Sequence, residues 1–222
     1  MRCQPRSLSS AVRCRDKLTV KKDIEAFQLE ELLKRINKIG SEAPSLIVPS
    51  EKPDFILTIG GGQVGVETTA SIYQEYVRAN KLHHERFPNH CIVTTHLKDG
   101  AARRSNDELI DEVLNLNSEW QDAEEGMRDW RDKVAQSLER KRTKLNGNDF
   151  QAFSQNWLLI YDEPGLPNDV FTYDSACRHA ARVLAAPYSS GRDFDTVFLL
   201  SDRYLFRWQQ QKLSLNYDHR NA

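Results

Sequence analysis

The chain has 222 residues, of which 39% are hydrophobic and 28% charged, and its formal net charge is −1. No apolar run approaches the roughly 20 residues that a membrane-spanning helix needs, so we expect no membrane association. The near-neutral charge argues against a protein that coats nucleic acid by charge alone, although it is compatible with a local basic strip. The cysteines are widely spaced, without a Cys-x-x-Cys pair, which favours reduced thiols and a cytoplasmic protein.

Residues 1–21 are rich in Arg and Lys and contain one acidic residue, Asp16. This segment lacks the hydrophobic stretch of a secretory signal, and we expect a flexible or loosely docked basic tail. An organellar transit peptide is the less favoured alternative. The rest of the chain, residues 22–222, is predicted to form a single α/β domain with a helical insertion around residues 100–150.

The first predicted element is an amphipathic helix over residues 23–39, where apolar residues recur at steps of three and four. Residues 41–53 are polar and contain proline, which is typical of a connector. Two strands follow over residues 55–59 and 63–69, separated by a glycine turn at 60–62. Further along, the same criteria predict helices over 71–87, within 106–145 and over 174–186, and strands over 91–95, 157–161, 196–200 and 204–208. This alternation of helices and strands indicates a mixed α/β fold.

The predicted hairpin carries two acidic residues that could act together. Asp54 precedes the first strand, and Glu67 lies late in the second. Strand alternation puts Gly65, Glu67 and Thr69 on one face. Because neighbouring strands lie about 4.8 Å apart, the two carboxylates could share one ion. Two hard oxygen donors with water suit Mg²⁺ or Mn²⁺.

Pro53-Asp54, followed about a dozen residues later by Glu67-x-Thr69 on a strand, resembles the PD-(D/E)xK nuclease superfamily. More closely, it is similar to stand-alone bacterial proteins in which Pro-Asp-Phe and Val-Gly-Val-Glu-x-Thr replace the full motif. The resemblance implies a restriction-endonuclease-like core, with a mixed central sheet flanked by helices. It also implies a metal-dependent endonuclease that hydrolyses phosphodiester bonds, with DNA as the expected substrate. Asp54, Glu67 and the carbonyl of Thr68 would hold the Mg²⁺ or Mn²⁺ ion.

The superfamily places a lysine two residues after the glutamate, where this chain has Thr69. We expect Thr69 to orient water and the missing positive charge to come from elsewhere. Lys141 falls within the apolar stripe of a predicted helix, close to the direction of Val134. A lysine among inward-facing residues needs a partner or a function. The alternative is that Lys141 lies at the frayed end of the stripe and extends its ammonium to water.

Several residues are weaker candidates. Glu31 borders the apolar face of the first helix, where some superfamily members place an extra acid, although solvent exposure is the simpler expectation. Gln74 follows the second hairpin strand and could contact a nucleotide. The remaining candidates are cations expected to point away from the apolar stripe and to meet phosphates, namely Arg140, Arg142 and Lys144.

Two other functions compete with the nuclease. Residues 60–65 match the G-x-G-x-x-G pattern of dinucleotide sites, but such a site needs a helix to begin inside the glycines. The β-branched, alternating residues that follow favour a strand instead. The absent lysine at Thr69 supports a second hypothesis, a catalytically inactive nuclease-fold module with a binding or regulatory role. The sequence leaves a homodimer possible, in which each copy cuts one strand.

Overall fold

A computed structural model describes most of the chain, namely residues 10–38, 42–87, 97, 103–115, 123–162, 173–188, 191–201 and 204–218. In chain order the elements are α1 (Ser10–Lys38), β1 (Leu46–Pro49), β2 (Phe55–Ile59), β3 (Gly62–Ala70), α2 (Gln74–Arg86), α3 (Asn106–Asn115), α4 (Ala123–Leu145), β4 (Gln155–Asp162), α5 (Tyr173–Leu184), β5 (Thr196–Ser201), β6 (Tyr204–Gln209) and β7 (Lys212–Asp218). Among the helices of these ranges, none is both long and apolar enough to cross a membrane.

The strands form one mixed sheet in the order β1-β2-β3-β4-β5-β6-β7. The central strands β3, β4 and β5 are parallel, and the strands on both flanks are antiparallel. Parallel neighbours require a crossover connection, which α2, α3 and α4 supply between β3 and β4 and α5 supplies between β4 and β5. The predicted α/β fold with a mixed sheet flanked by helices is confirmed.

The central strand β4 is buried on both faces, which explains its uninterrupted apolar run. Trp157 and Leu159 face α1, whereas Leu158 and Ile160 face α4 and α5. The sheet therefore carries one helix of the described chain on the first face and two on the second.

The glycine turn is a hairpin, as the sequence predicted. Gly60 and Gly61 adopt left-handed φ values of 56° and 79°, which favour glycine. β3 begins at Gly62 and pairs antiparallel with β2 from its first residue. Because a strand and not a helix follows the glycines, the requirement for a dinucleotide site is not met.

The charged region predicted as an insertion contributes to the core. Trp130, Val134, Leu138 and Leu145 of α4 are all buried in the cluster that covers the sheet. The predicted apolar stripe is thus confirmed, and α4 belongs to the crossover that joins the parallel strands β3 and β4.

Some boundaries differ from prediction. α1 begins at Ser10 and so extends into the segment predicted as a tail. β1 lies within residues 41–53, which their polar residues and prolines predict as a connector, and its four residues are all exposed. β7 was not predicted, because its sequence is largely polar. The predicted strand over 91–95 lies outside the described residues.

Burial raises the pKa of one core carboxyl far above its usual range. Asp162, at the end of β4, is 3% exposed and accepts a hydrogen bond from Trp130 Nε1 at 2.8 Å. Burial raises the pKa of Asp162 from 3.8 to about 6, against the stabilising effects of Trp130 and Lys133 on its ionised form. The stability contributed by this protonation is therefore complete below pH 3.8 and is lost as the pH rises through about 6.

We predict that Asp162→Asn, which imitates the protonated group, removes this pH dependence. The free energy of unfolding of the variant minus that of the wild type should increase between pH 4 and 7, by about 3 kcal/mol at most. Urea denaturation at a series of pH values measures the difference. The exposed Asp107→Asn serves as control, and a pH-independent difference for Asp162→Asn would contradict the prediction.

Candidate active site

The hairpin register brings the two predicted carboxylates together. Phe55 pairs with Val66, so Asp54 and Glu67 lie opposite each other one step beyond the β2–β3 ladder. Asp54 is 5% exposed, and Glu67 is fully buried on the α4 side of the sheet. The backbone N–H of Thr68 donates to Asp54 Oδ2 at 2.8 Å, which fixes the Asp54 carboxylate against β3.

Lys141 of α4 lies between these carboxylates. Its Nζ is 2.6 Å from Glu67 Oε2 and 3.5 Å from Asp54 Oδ2. Of the two expectations for Lys141, the structure therefore places its ammonium in the site and not in bulk water. Lys141 thus brings a positive charge to the two carboxylates from α4, an element separate from the β2–β3 hairpin.

A second lysine, Lys144, binds the same pair. Its Nζ is 2.8 Å from both Glu67 oxygens and 3.7 Å from Asp54 Oδ1. The expectation that Lys144 points away from the stripe is wrong, because a residue three positions after Lys141 lies on the same helix face. That spacing, applied to Lys141 and Lys144 together, was the signal that could have identified this contact.

The two carboxyl groups differ in their affinity for protons. Burial alone would raise the pKa of Asp54, but the charge of Lys141, the Thr68 N–H and Lys144 outweigh it and hold the pKa below its usual value. Burial raises the pKa of Glu67 above its usual value, and the nearby Asp54 charge adds to this against the opposing effect of Lys141. Neighbouring carboxyl groups with diverging pKa values are typical of sites for acid–base chemistry.

An open cleft of about 340 Å³ adjoins this cluster. Arg140 lines it and donates from Nη2 to Thr69 Oγ1 at 3.0 Å. The contact holds the guanidinium against Thr69, two residues after Glu67 on β3. The other walls are formed by α1, β3 and the start of α2, and Lys141 lines the cleft from α4 together with Arg140. The lining residues of the three other elements are Lys21, Ile24, Glu25, Gln28, Thr68, Thr69, Ala70 and Gln74.

Two predicted residues do not join the site. Arg142 is 4% exposed and binds Asp193, with Nη2 at 2.6 Å from Oδ2, so its predicted role toward phosphates is wrong. Glu31 pairs with Lys34 at 3.0 Å on the α1 surface and does not line the cleft. Gln74 does line the cleft, as its predicted role requires.

Sequence analysis missed the α1 residues that face the cleft. Lys21, Glu25 and Gln28 recur at steps of four and three, so they share one helix face. Lys21 and Glu25 form an ion pair of 2.9 Å. This polar stripe was visible in the sequence, but which way it faced depended on how α1 packs on the sheet.

The oxygen donors suit a hard divalent ion. In a strand, the N–H and C=O of one residue point to the same edge, so the Thr68 carbonyl lies on the Asp54 side of β3. Mg²⁺ is commonly bound by one or two carboxylates, with waters and substrate phosphate completing its shell. Within the described ranges, no cluster of three or more His, Cys, Asp or Glu residues is placed to hold a metal. The donors present therefore fit Mg²⁺ or Mn²⁺ as a two-carboxylate site.

Gly65 allows the approach of the loop that carries Asp54. A Cβ atom there would lie 2.9 Å from Pro53 Cγ and 2.7 Å from Phe153 Cδ2. We predict that Gly65→Ala lowers the free energy of unfolding by about 1–3 kcal/mol through overpacking, measured by urea denaturation. Gly62→Ala is the matched control, since its Cβ would meet only Ile59 O at 3.5 Å. Equal stability of the two variants would contradict the prediction.

No protein-family model matches this chain, and no curated protein or solved structure matches it either. The geometry of the Asp54–Glu67 cluster is therefore the basis on which a function is proposed.

Proposed function

We propose that this protein is a metal-dependent nuclease that hydrolyses phosphodiester bonds, with DNA as the expected substrate. The observation that carries the proposal is the position of Lys141, within ion-pair distance of both Asp54 and Glu67 at the edge of the hairpin. Two hard carboxylates beside a lysine are the chemical groups that the resemblance to PD-(D/E)xK nucleases requires.

Each residue has a distinct role in the proposed reaction. Asp54, Glu67 and the Thr68 carbonyl would hold Mg²⁺ or Mn²⁺, which when bound supplies an activated water and offsets charge on the phosphate. The Lys141 ammonium would donate a hydrogen bond to the attacking water and hold it near the carboxylates. Oxygen from this water would form the new bond to phosphorus as its proton passes to solvent, and the bond from phosphorus to the leaving oxygen would break as that oxygen takes a proton from solvent.

Arg140 and Thr69 would orient the substrate phosphate. Arg140 is exposed to the cleft and carries a fixed positive charge, and its bond to Thr69 Oγ1 limits the directions in which it can point. A guanidinium can bind two phosphate oxygens at once. Gln74, which lines the cleft and is exposed, would offer its amide group to a nucleotide.

We predict that purified protein cleaves DNA in the presence of Mg²⁺ or Mn²⁺, and that Glu67→Gln and Asp54→Asn lower the rate by about 100-fold or more, because each removes a metal ligand. Linear DNA, circular DNA and RNA, assayed over a range of salt concentrations, identify the substrate. Lys141→Met should lose cleavage while it retains metal binding.

The control for these variants is Asp107→Asn, which removes an exposed carboxylate that pairs with Arg86 away from the site. Circular dichroism verifies that each variant is folded. Absence of cleavage of every substrate with both metals would count against the nuclease. Unchanged cleavage by Lys141→Met would remove that residue from the mechanism.

The second candidate is a catalytically inactive module with a binding or regulatory role. It is favoured by one observation, that Lys141 and Lys144 already pair with both carboxylates. Calorimetry separates the candidates: an inactive module should show little affinity for Mg²⁺ and little change on Asp54→Ala. A homodimer in which each copy cuts one strand of the nucleic acid stays a prediction. Light scattering, which measures the mass of the protein in solution, tests it.

A further inference from the structure

Lys141 and Lys144 face all four oxygens of the candidate metal ligands. Lys144 Nζ lies 2.8 Å from both oxygens of Glu67 and 3.7 Å from Asp54 Oδ1. Lys141 Nζ contacts Glu67 Oε2 and Asp54 Oδ2 at 2.6 and 3.5 Å. Each oxygen that a divalent ion would use thus lies within ion-pair distance of an ammonium group.

A divalent ion and both lysines cannot occupy these positions together. Mg²⁺ needs oxygen ligands at about 2.1 Å in a near-octahedral arrangement, whereas both Glu67 oxygens already accept hydrogen bonds from Lys144. An ion placed there would lie within a few ångströms of both ammonium groups, and this repulsion is weakly screened at a buried site. Binding of the ion therefore requires that one lysine leave.

The structure indicates which lysine can leave at lower cost. The side chain of Lys144 is 30% exposed, against 13% for Lys141. Lys144 also lies in the last turn of α4, one residue before the helix ends. Its ammonium can rotate into water, whereas that of Lys141 would have to leave a more enclosed position.

We propose that Lys144 is an internal competitor of the divalent ion, which occupies Glu67 in the metal-free protein and exchanges with the metal. This inference rests on the metal site of the proposed function. The exchange keeps the buried Glu67 charge compensated in both states, by Lys144 without the ion and by the ion with Lys144 in solvent. It also sets the metal affinity lower than the same ligands would give without Lys144.

The test is calorimetric titration of the full chain with Mn²⁺. Lys144→Gln should lower the Kd for Mn²⁺ by about tenfold or more, because a competing positive charge is gone. The variant should also melt at a lower temperature than the wild type without metal and gain more from added Mn²⁺. Lys81→Gln removes a lysine from an exposed pair with Glu85 and should leave the Kd unchanged.

A second measurement is made on the wild-type protein, and the charge-conserving variant Lys144→Arg serves only to assign the signal. In wild-type protein with isotope-labelled lysines, the Lys144 side-chain resonance, assigned with Lys144→Arg, should shift as Mg²⁺ is added, while that of Lys81 stays fixed. A Lys144 resonance that does not respond while Mg²⁺ binds would overturn the exchange.

The outcomes separate the inference from the proposed function. An equal or higher Kd for Lys144→Gln would overturn the competition and leave the metal site standing. Equal Mn²⁺ binding by wild type and Glu67→Gln, or no binding by any of the proteins, would overturn the metal site and the competition with it. Binding by Lys144→Gln where the wild type binds weakly or not at all would support the exchange.

Discussion

The compensation of two buried carboxylates by lysines from another element is the constraint on which the site depends. An unpaired charge inside a protein is strongly unfavourable, and Glu67 has no exposed surface. Its partners come from α4, which is held on the sheet by buried residues such as Trp130 and Leu138. The packing of α4 on the sheet therefore buries its apolar residues and, at the same time, brings its lysines to the carboxylates.

Each component of the site occupies a different structural element. The β2–β3 hairpin sets the separation of Asp54 and Glu67 through its register, and Gly65 allows the Asp54 loop to approach. α4 supplies the two lysines that contact that pair, Lys141 and Lys144. α1 forms the other wall of the cleft, with Gln28 and Lys21. Chemistry proposed for this edge thus needs the hairpin, the crossover and the first helix in one relative placement.

In the proposed nuclease, Lys141 provides from α4 the positive charge that the superfamily motif places at the position of Thr69. Electrostatics constrain where a positive charge lies relative to the carboxylates, but not which segment of the chain supplies it. Thr69 contributes a hydroxyl that holds Arg140, while Lys141 takes the place beside Asp54 and Glu67. The departure from the motif is therefore compatible with a complete set of charges.

Local patterns in the sequence determined the hairpin, the alternation of helices and strands, the pairing of Asp54 with Glu67, and the α4 stripe containing Lys141, because each depends on periodicity or turn chemistry within a short window. Only the tertiary structure decided that Arg142 turns to Asp193 and that α1 lines the cleft. These outcomes depend on contacts between residues far apart in the chain, where a long cationic side chain has several possible partners. Which partner it meets follows from how the helices pack on the sheet, and spacing along the sequence does not encode that.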